Sequence, residues 1–453
     1  MNRRKCFMIL ALLAIVPMLA VGCAPSPSTV APVTQSLPGT VAPVATAAPA
    51  SPTSAGEKVT LNVVLSSYWQ EDWWKKLINK FEADHPNITI NYWFGSDWTE
   101  YTQTQIAGGE VPDLFWLTRY EWIDDGLVMD LTDVLKTPAY GQTTGTWQDT
   151  FYAHPGPILY KGKYWTVPWD LYTDGYIWYN VDLFNQYGKQ PPQTWNDLLN
   201  LCQFFKSKNI NCFAQSNDPL YINQWWRMLS QRIAGMDKIR ATVANQKGNA
   251  WTDPEFLQAA TMAQDVANKG YFEAGYEGMN YQTAQIEFVQ GHAAMMLIGD
   301  WLAGEMKDSW PTTFHADYVR FPTVDGGKGD PTVQIAGTSD IVLSNKTQHP
   351  KELIEFAKWM TSLEATTQMA ADSGLLYGTK GSTPPDKLTS YDKKALDFLS
   401  SATDSFDWYA PPDFTISFET GDQMFNACVG LMLKQMTPEQ FVQKLEVLRQ
   451  ADH

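Results

Sequence analysis

Tryptophan and carboxylate side chains recur in this chain beside short apolar segments. Tyr68 and Trp69 stand in Ser67-Tyr68-Trp69-Gln70, and Trp98 and Trp116 follow, the latter with Arg119 close behind. Trp169-Asp170 precedes Asp174; Trp225-Trp226, Asp300-Trp301 and Trp408-Tyr409 come later. The chain holds 19 tryptophans among 453 residues, more than a core requires. Indole is a large, stiff, apolar plate with a single donor. Carboxylates and other planar polar groups pair with hydroxyls, and a ligand lacking a hydroxyl leaves them unsatisfied. Plates for apolar C–H faces and acids for a rim of hydroxyls are what a sugar-like ligand needs. The bland role of a tryptophan is packing: Trp225-Trp226 opens a helix, so one of the pair is expected inward and the other lines a cleft.

Other chemistries find less support. No CxxC, HExxH or zinc-type spacing occurs and the 6 histidines are scattered, so neither a metal nor a cofactor is expected. There is no G-x-S-x-G elbow and no P-loop. A glycan-cleaving enzyme would need two carboxylates about 5–9 Å apart, and among 49 acids a chance pair proves nothing. A net charge of −16 argues against nucleic acid and against an anionic lipid surface.

The elements that must position these residues read as an α/β alternation. Val59 to Leu65 is a β-branched strand, Asp72 to Phe81 has helical spacing, and Ile88 to Tyr92 is a second strand. Glu100 to Ala107 is helical and ends at Gly108-Gly109, before the apolar run Asp113 to Leu117. Trp69, Trp98 and Trp116 thus follow strands one, two and three, where an open sheet places its ligands. Tyr164 to Pro168, Gly175 to Tyr179, Ala293 to Ile298, Asp317 to Phe321 and Gln334 to Leu343 read as further strands. Thr194 is a good N-cap for the helix Trp195 to Lys206, although the acid three residues on is Asp197 rather than Glu or Gln. Cys202 and Cys212 are close enough to bridge; two buried thiols are the alternative.

The amino terminus carries an address. Arg3, Arg4 and Lys5 precede an apolar run too short for a comfortable span, as in an export signal over residues 1–22. Ala20-Val21-Gly22-Cys23 resembles a lipobox, which implies acylation of Cys23. Residues 23–57, rich in Pro, Ala, Ser and Thr, then form a tether that cannot bury enough surface to order itself. The expected setting is an exported lipoprotein held on the outer side of a cell membrane.

From about Val59 to Ala451 the order of motifs resembles the extracellular solute-binding proteins of ABC importers, family 1. Phe81-Glu82-Ala83-Asp84-His85-Pro86 with Ile88-Thr89-Ile90 resembles the first helix and second strand of that family. Gly109-Glu110-Val111-Pro112-Asp113 is similar to its Gly-x-x-Pro-Asp turn, and Val167-Pro168-Trp169 through Trp195 to its entry into a second lobe. Phe288-Val289-Gln290-Gly291 through Gly299-Asp300-Trp301 is similar to the segment before its stacking tryptophan.

The resemblance implies a two-lobed type II periplasmic-binding-protein fold, each lobe a mixed, mainly parallel sheet flanked by helices and joined by hinge strands. Lobe I would comprise 58–169 and 323–376, lobe II 170–322 and 377–453. A carbohydrate, by this reading an oligosaccharide, would sit between the lobes and pass to ABC permease subunits, with the binding protein a monomer. The resemblance assigns ligand contacts to Trp301 and, at a returning strand, to Gly337 and Thr338. It places Trp169, Asp170 and Asp174 at the hinge and an aromatic near Trp408. Arg119 stands where the family has an acid. The same fold also serves polyamine, glycerol phosphate or ferric iron; few cations and no paired tyrosines support the last two less, and polyamine stays open.

Overall fold

A computed structural model describes residues 57–153, 155–406 and 418–452. Cys23, the export signal, nearly all of the tether and Trp408 lie outside the described residues.

The first lobe is built on the strand Val59–Ser66. Its early residues alternate buried and exposed, and its last four are buried on both faces, as expected for a strand covered by helices. It pairs in parallel with Ile88–Gly95 along its whole length and with Leu114–Trp116 on its other side. The helix Glu71–Asp84 crosses between the first two, burying Trp74, Leu77, Ile78 and Phe81. The Pro-Asp turn has a clear local purpose: the Asp113 carboxylate accepts the Asn62 amide at 2.7 Å, fixing where the third strand starts. Asp340–Leu343 and Val167–Pro168 complete the five-stranded sheet in antiparallel fashion.

The second lobe carries a four-stranded sheet ordered Ala316–Arg320, Tyr176–Asn180, Ala293–Ile298 and Asn211–Ala214, with two antiparallel pairings and one parallel. The helices Trp195–Ser207, Gln224–Ala234, Pro254–Asn268 and Pro438–Asp452 bury apolar faces in one core with it. Asp197 does act as a capping-box acid: Thr194 and Asp197 cap each other reciprocally. Cys202 and Cys212 form a disulfide joining that helix to the strand Asn211–Ala214, so the bridge is the outcome, not two thiols.

One strand was expected from Gln334 to Leu343; two are found, in different sheets. Gln334–Gly337 pairs with Tyr172–Asp174 and Ser405–Phe406, whereas Asp340–Leu343 pairs in the first lobe. The chain crosses between lobes at Thr338-Ser339. Opposite it, Val167–Pro168 belongs to the first sheet and Tyr172–Asp174 to the small one. The Asp170 carboxylate accepts both the amide and the hydroxyl of Ser339, pinning the two crossings together. A third pass lies beside them: Gly378 donates its amide to the Trp169 carbonyl at 3.0 Å. A Cβ on Gly378 would stand 2.7 Å from that of Pro168, so only glycine permits the approach.

This geometry corrects the boundary placed at residue 323. Thr323 bonds to Gln193, Val333 and Ile335 enter the second core, and the buried Arg232 guanidinium donates to the carbonyls of Phe321 and Pro331. Residues 323–337 therefore pack with the second lobe, and return to the first begins after them.

Candidate functional site

Three parallel strands of the first lobe end in aromatic residues. Trp69 stacks on Trp116 at 5.2 Å, Trp74 stacks on Trp169 at 5.0 Å, and the two pairs meet edge to face. Trp69, Trp116 and Trp169 are no more than 2% exposed. Indoles packed on each other exclude water from their faces, so these three form a rigid block at the strand ends and are not separate open plates. What stands in front of the block is Tyr68, 57% exposed, with half-buried Trp98 edge-on to it at 6.2 Å.

The second lobe supplies a different group. Trp301 follows the strand Ala293–Ile298, half-buried, with Tyr172 edge-on at 6.0 Å and Tyr221 at 6.3 Å. Tyr281 stacks on Tyr221 at 4.9 Å. The Gly-x-Trp spacing has a steric cause: a Cβ on Gly299 would lie 2.0 Å from the Trp301 ring, so the indole folds back over a bare backbone. The Trp301 Nε1 is buried and has no hydrogen-bond partner among the described residues.

Carboxylates complete the surface. Asp218 caps the helix Pro219–Ile222 that carries Tyr221, accepting the Leu220 amide at 3.0 Å. Glu305 accepts from Gln285 Nε2 at 2.7 Å. Enclosure raises the Asp218 carboxyl above its usual range, opposed by the Leu220 amide. Glu305 keeps contact with solvent, yet the surrounding walls push its carboxyl up as well. The Tyr68 hydroxyl of the first lobe is raised by burial of its oxygen and then by the charges of Asp218 and Glu305 in the second. Tyr68 therefore lies within electrostatic reach of both, and these groups of the two lobes border the candidate recess.

The remaining candidates serve other purposes. Asp300 is 9% exposed and bonds to Thr173, so it holds the Trp301 turn in place; burial raises its carboxyl to about 7. Asp170 clamps the hinge, and Asp174 is buried, its carboxylate on the Gly175 amide. Gly337 pairs with Tyr172, and Thr338 donates to Asp340. Trp225 and Trp226 both face the second core, the first donating to Gln215 at 2.7 Å, the second wedged against Trp251 and Phe441. The expectation that one of them lines the cleft fails because the strand Asn211–Ala214 covers one indole and the helix Pro438–Asp452 the other. Arg119, half-buried, acts on the exposed Asp422 of the helix Phe418–Met432, so it too bridges the lobes electrostatically.

Tyr172, Asp218, Tyr221, Tyr281 and Glu305 escaped the sequence reading. Glu305 had a signal, since it lies one helical turn beyond Trp301. The others sit on short helices and a hinge strand whose facing depends on tertiary packing.

The sequence profile of the bacterial extracellular solute-binding proteins matches residues 69–367. The chain is similar to the multiple sugar-binding protein of Streptococcus mutans, 25% identical over 341 residues, which span 72% of this chain and 77% of that protein. It is similar to the diacetylchitobiose binding protein NgcE of Streptomyces coelicolor, 22% identical over 63% of this chain and 62% of that one. Among solved structures, a chitin oligosaccharide binding protein superposes with a TM-score of 0.75 at 23% identity, covering 88% of this chain and 99% of the other. A structure from work on xylan utilization by Caldanaerobius polysaccharolyticus gives 0.74 at 24% identity, covering 86% and 99%.

Proposed function

The chain belongs to the bacterial extracellular solute-binding proteins, and from that membership we propose that it captures a carbohydrate between its lobes and hands it unchanged to ABC permease subunits. An oligosaccharide is the ligand we infer. The observation that carries this reading is the grouping of half-buried Trp301 with Tyr172 and Tyr221, and of Tyr68 from the opposite lobe within electrostatic reach of Asp218 and Glu305. Sugar C–H faces stack on the rings, and hydroxyls donate to Asp218 and Glu305.

The hinge supports a clamp. Two chain crossings meet at Asp170 and Ser339, with Gly378 packed beside them, and a few residues at such a crossing suffice to absorb a closing rotation. Ligand bound to both faces would favour the closed form by its differential affinity for it. The signal, the lipobox-like segment at Cys23 and the tether fit a protein held by its lipid on the extracytoplasmic side of the cell membrane, where several acyl chains anchor firmly because each buried CH₂ contributes about 0.8 kcal/mol.

The test is a panel of mono- and oligosaccharides scored by intrinsic fluorescence and thermal shift. A saccharide that shifts both is the expected outcome. Silence across the panel, or release of new reducing ends during incubation, would overturn the reading.

A further inference from the structure

The recess is acidic and aromatic, and the charges felt inside it are of one sign. The charged groups acting on Tyr68, Tyr221 and Tyr281 are Asp218 and Glu305. The causes acting on Asp218 and Glu305 themselves are enclosure and hydrogen bonds from the Leu220 amide and Gln285. Three faces of the recess are rings: Tyr221 stacked on Tyr281, Trp301 edge-on to Tyr221, and the exposed Tyr68 from the other lobe.

Gln285 adds a separate observation. Its side chain is fully buried, its Nε2 is committed to Glu305, and its Oε1 has no hydrogen-bond partner among the described residues. A buried acceptor left open beside a carboxylate asks for a donor. The Trp301 indole, by contrast, has a buried N–H with no partner among the described residues. Carboxylates and an open acceptor flanked by the negative faces of aromatic rings form a surroundings in which an ammonium group is held by charge, hydrogen bonds and cation–π attraction together.

We propose that this recess contains a subsite for a protonated amino group carried on the saccharide, so that the preferred ligands are amino sugars with a free amine. The inference rests on the carbohydrate reading and narrows its substrate class. A neutral hydroxyl meets the same acceptors but gains neither the charge nor the cation–π interaction. An acidic sugar is repelled by Asp218 and Glu305. An N-acetyl group removes the charge while adding bulk.

Three β-1,4-linked disaccharides isolate the point, since they differ at the C2 substituent alone: cellobiose with hydroxyl, diacetylchitobiose with N-acetyl, and the glucosamine dimer with ammonium. Calorimetry at pH 7.0 and low salt on the soluble chain, lacking signal and tether, is expected to show the glucosamine dimer binding about tenfold tighter than cellobiose. The ratio should shrink in high salt, because charge interactions of a solvated recess are screened. In the double variant D218N/E305Q the ratio should fall close to one, whatever the absolute affinities. Cellobiose or diacetylchitobiose bound as well as or better than the glucosamine dimer overturns the inference and leaves the carbohydrate reading intact. Failure of all three while an aliphatic diamine such as putrescine binds would overturn both, and so would failure of all four.

Discussion

Asp300 and Thr173 exchange two hydrogen bonds: the Asp300 amide donates to the Thr173 carbonyl at 2.9 Å, and the Thr173 amide donates to Asp300 Oδ1 at 2.7 Å. Thr173 lies in the strand next to the hinge crossing, and Asp300 immediately precedes the Trp301 plate. The two bonds therefore tie the position of the plate to the hinge. Asp300 holds the indole from behind, while in the proposed site Trp301 is the surface that meets the ligand.

That pairing gives Asp300→Asn a pH signature. Burial raises the Asp300 carboxyl to about 7, with Asp392 adding to the rise. The folded state thus holds a proton that the unfolded chain releases near the ordinary aspartate range of about 4. Stability from this group is complete below that range and is lost as pH rises toward 7. Asparagine keeps the Oδ1 acceptor and cannot ionise. The melting temperature of the variant relative to the parent should therefore climb between pH 5 and pH 8. A difference that stays flat across this window would show that Asp300 does not titrate there.

Trp301→Ala should weaken saccharide binding by about 2 kcal/mol or more, as loss of a central aromatic anchor does. Stability should change little beyond this, because the ring is only half-buried and its Nε1 bonds to nothing in the described residues. Titration calorimetry beside a thermal melt separates the two effects. An affinity equal to the parent's would remove Trp301 from the site.

Tyr68 and Trp69 are neighbours in sequence with opposite fates, 57% and 2% exposed. Tyr68→Ala should lower affinity and leave the melt nearly unchanged. Trp69→Ala empties the centre of the tryptophan block and should cost about 3–5 kcal/mol of stability. Denaturant titration of both variants checks the contrast; similar unfolding midpoints would refute it.

Replacing Cys202 and Cys212 together by serine opens a short loop and should cost about 3 kcal/mol by loop-closure entropy. The bridge lies in the second lobe, away from the recess, so saccharide affinity at 25 °C should hold. A large affinity loss in folded variant protein would show coupling that the structure does not contain.

Local pattern was enough to read most of the scaffold. Val59–Ser66, Ile88–Gly95 and Ala293–Ile298 are β-branched or continuously apolar, and the helix Trp195–Ser207 announces itself through Thr194. The resemblance added the two lobes. The break at Thr338-Ser339 was invisible because both flanking segments favour strand, and only their pairing partners tell them apart. The tryptophans misled for a related reason. Spacing put Trp69 and Trp116 after strands, and the resemblance put Trp169 at the hinge, but neither says anything of their stacking on one another. Asp218, Tyr221 and Tyr281 lie on elements brought to the recess by tertiary packing, which no local pattern records.

The most direct test is a crystal structure of the soluble chain with the best-binding oligosaccharide. A pyranose ring should lie flat on the Trp301 indole, its hydroxyls or amine on Asp218 and Glu305, with Tyr68 closing from the other lobe. A saccharide seated away from Trp301, or bound to one lobe with Tyr68 untouched, would contradict it.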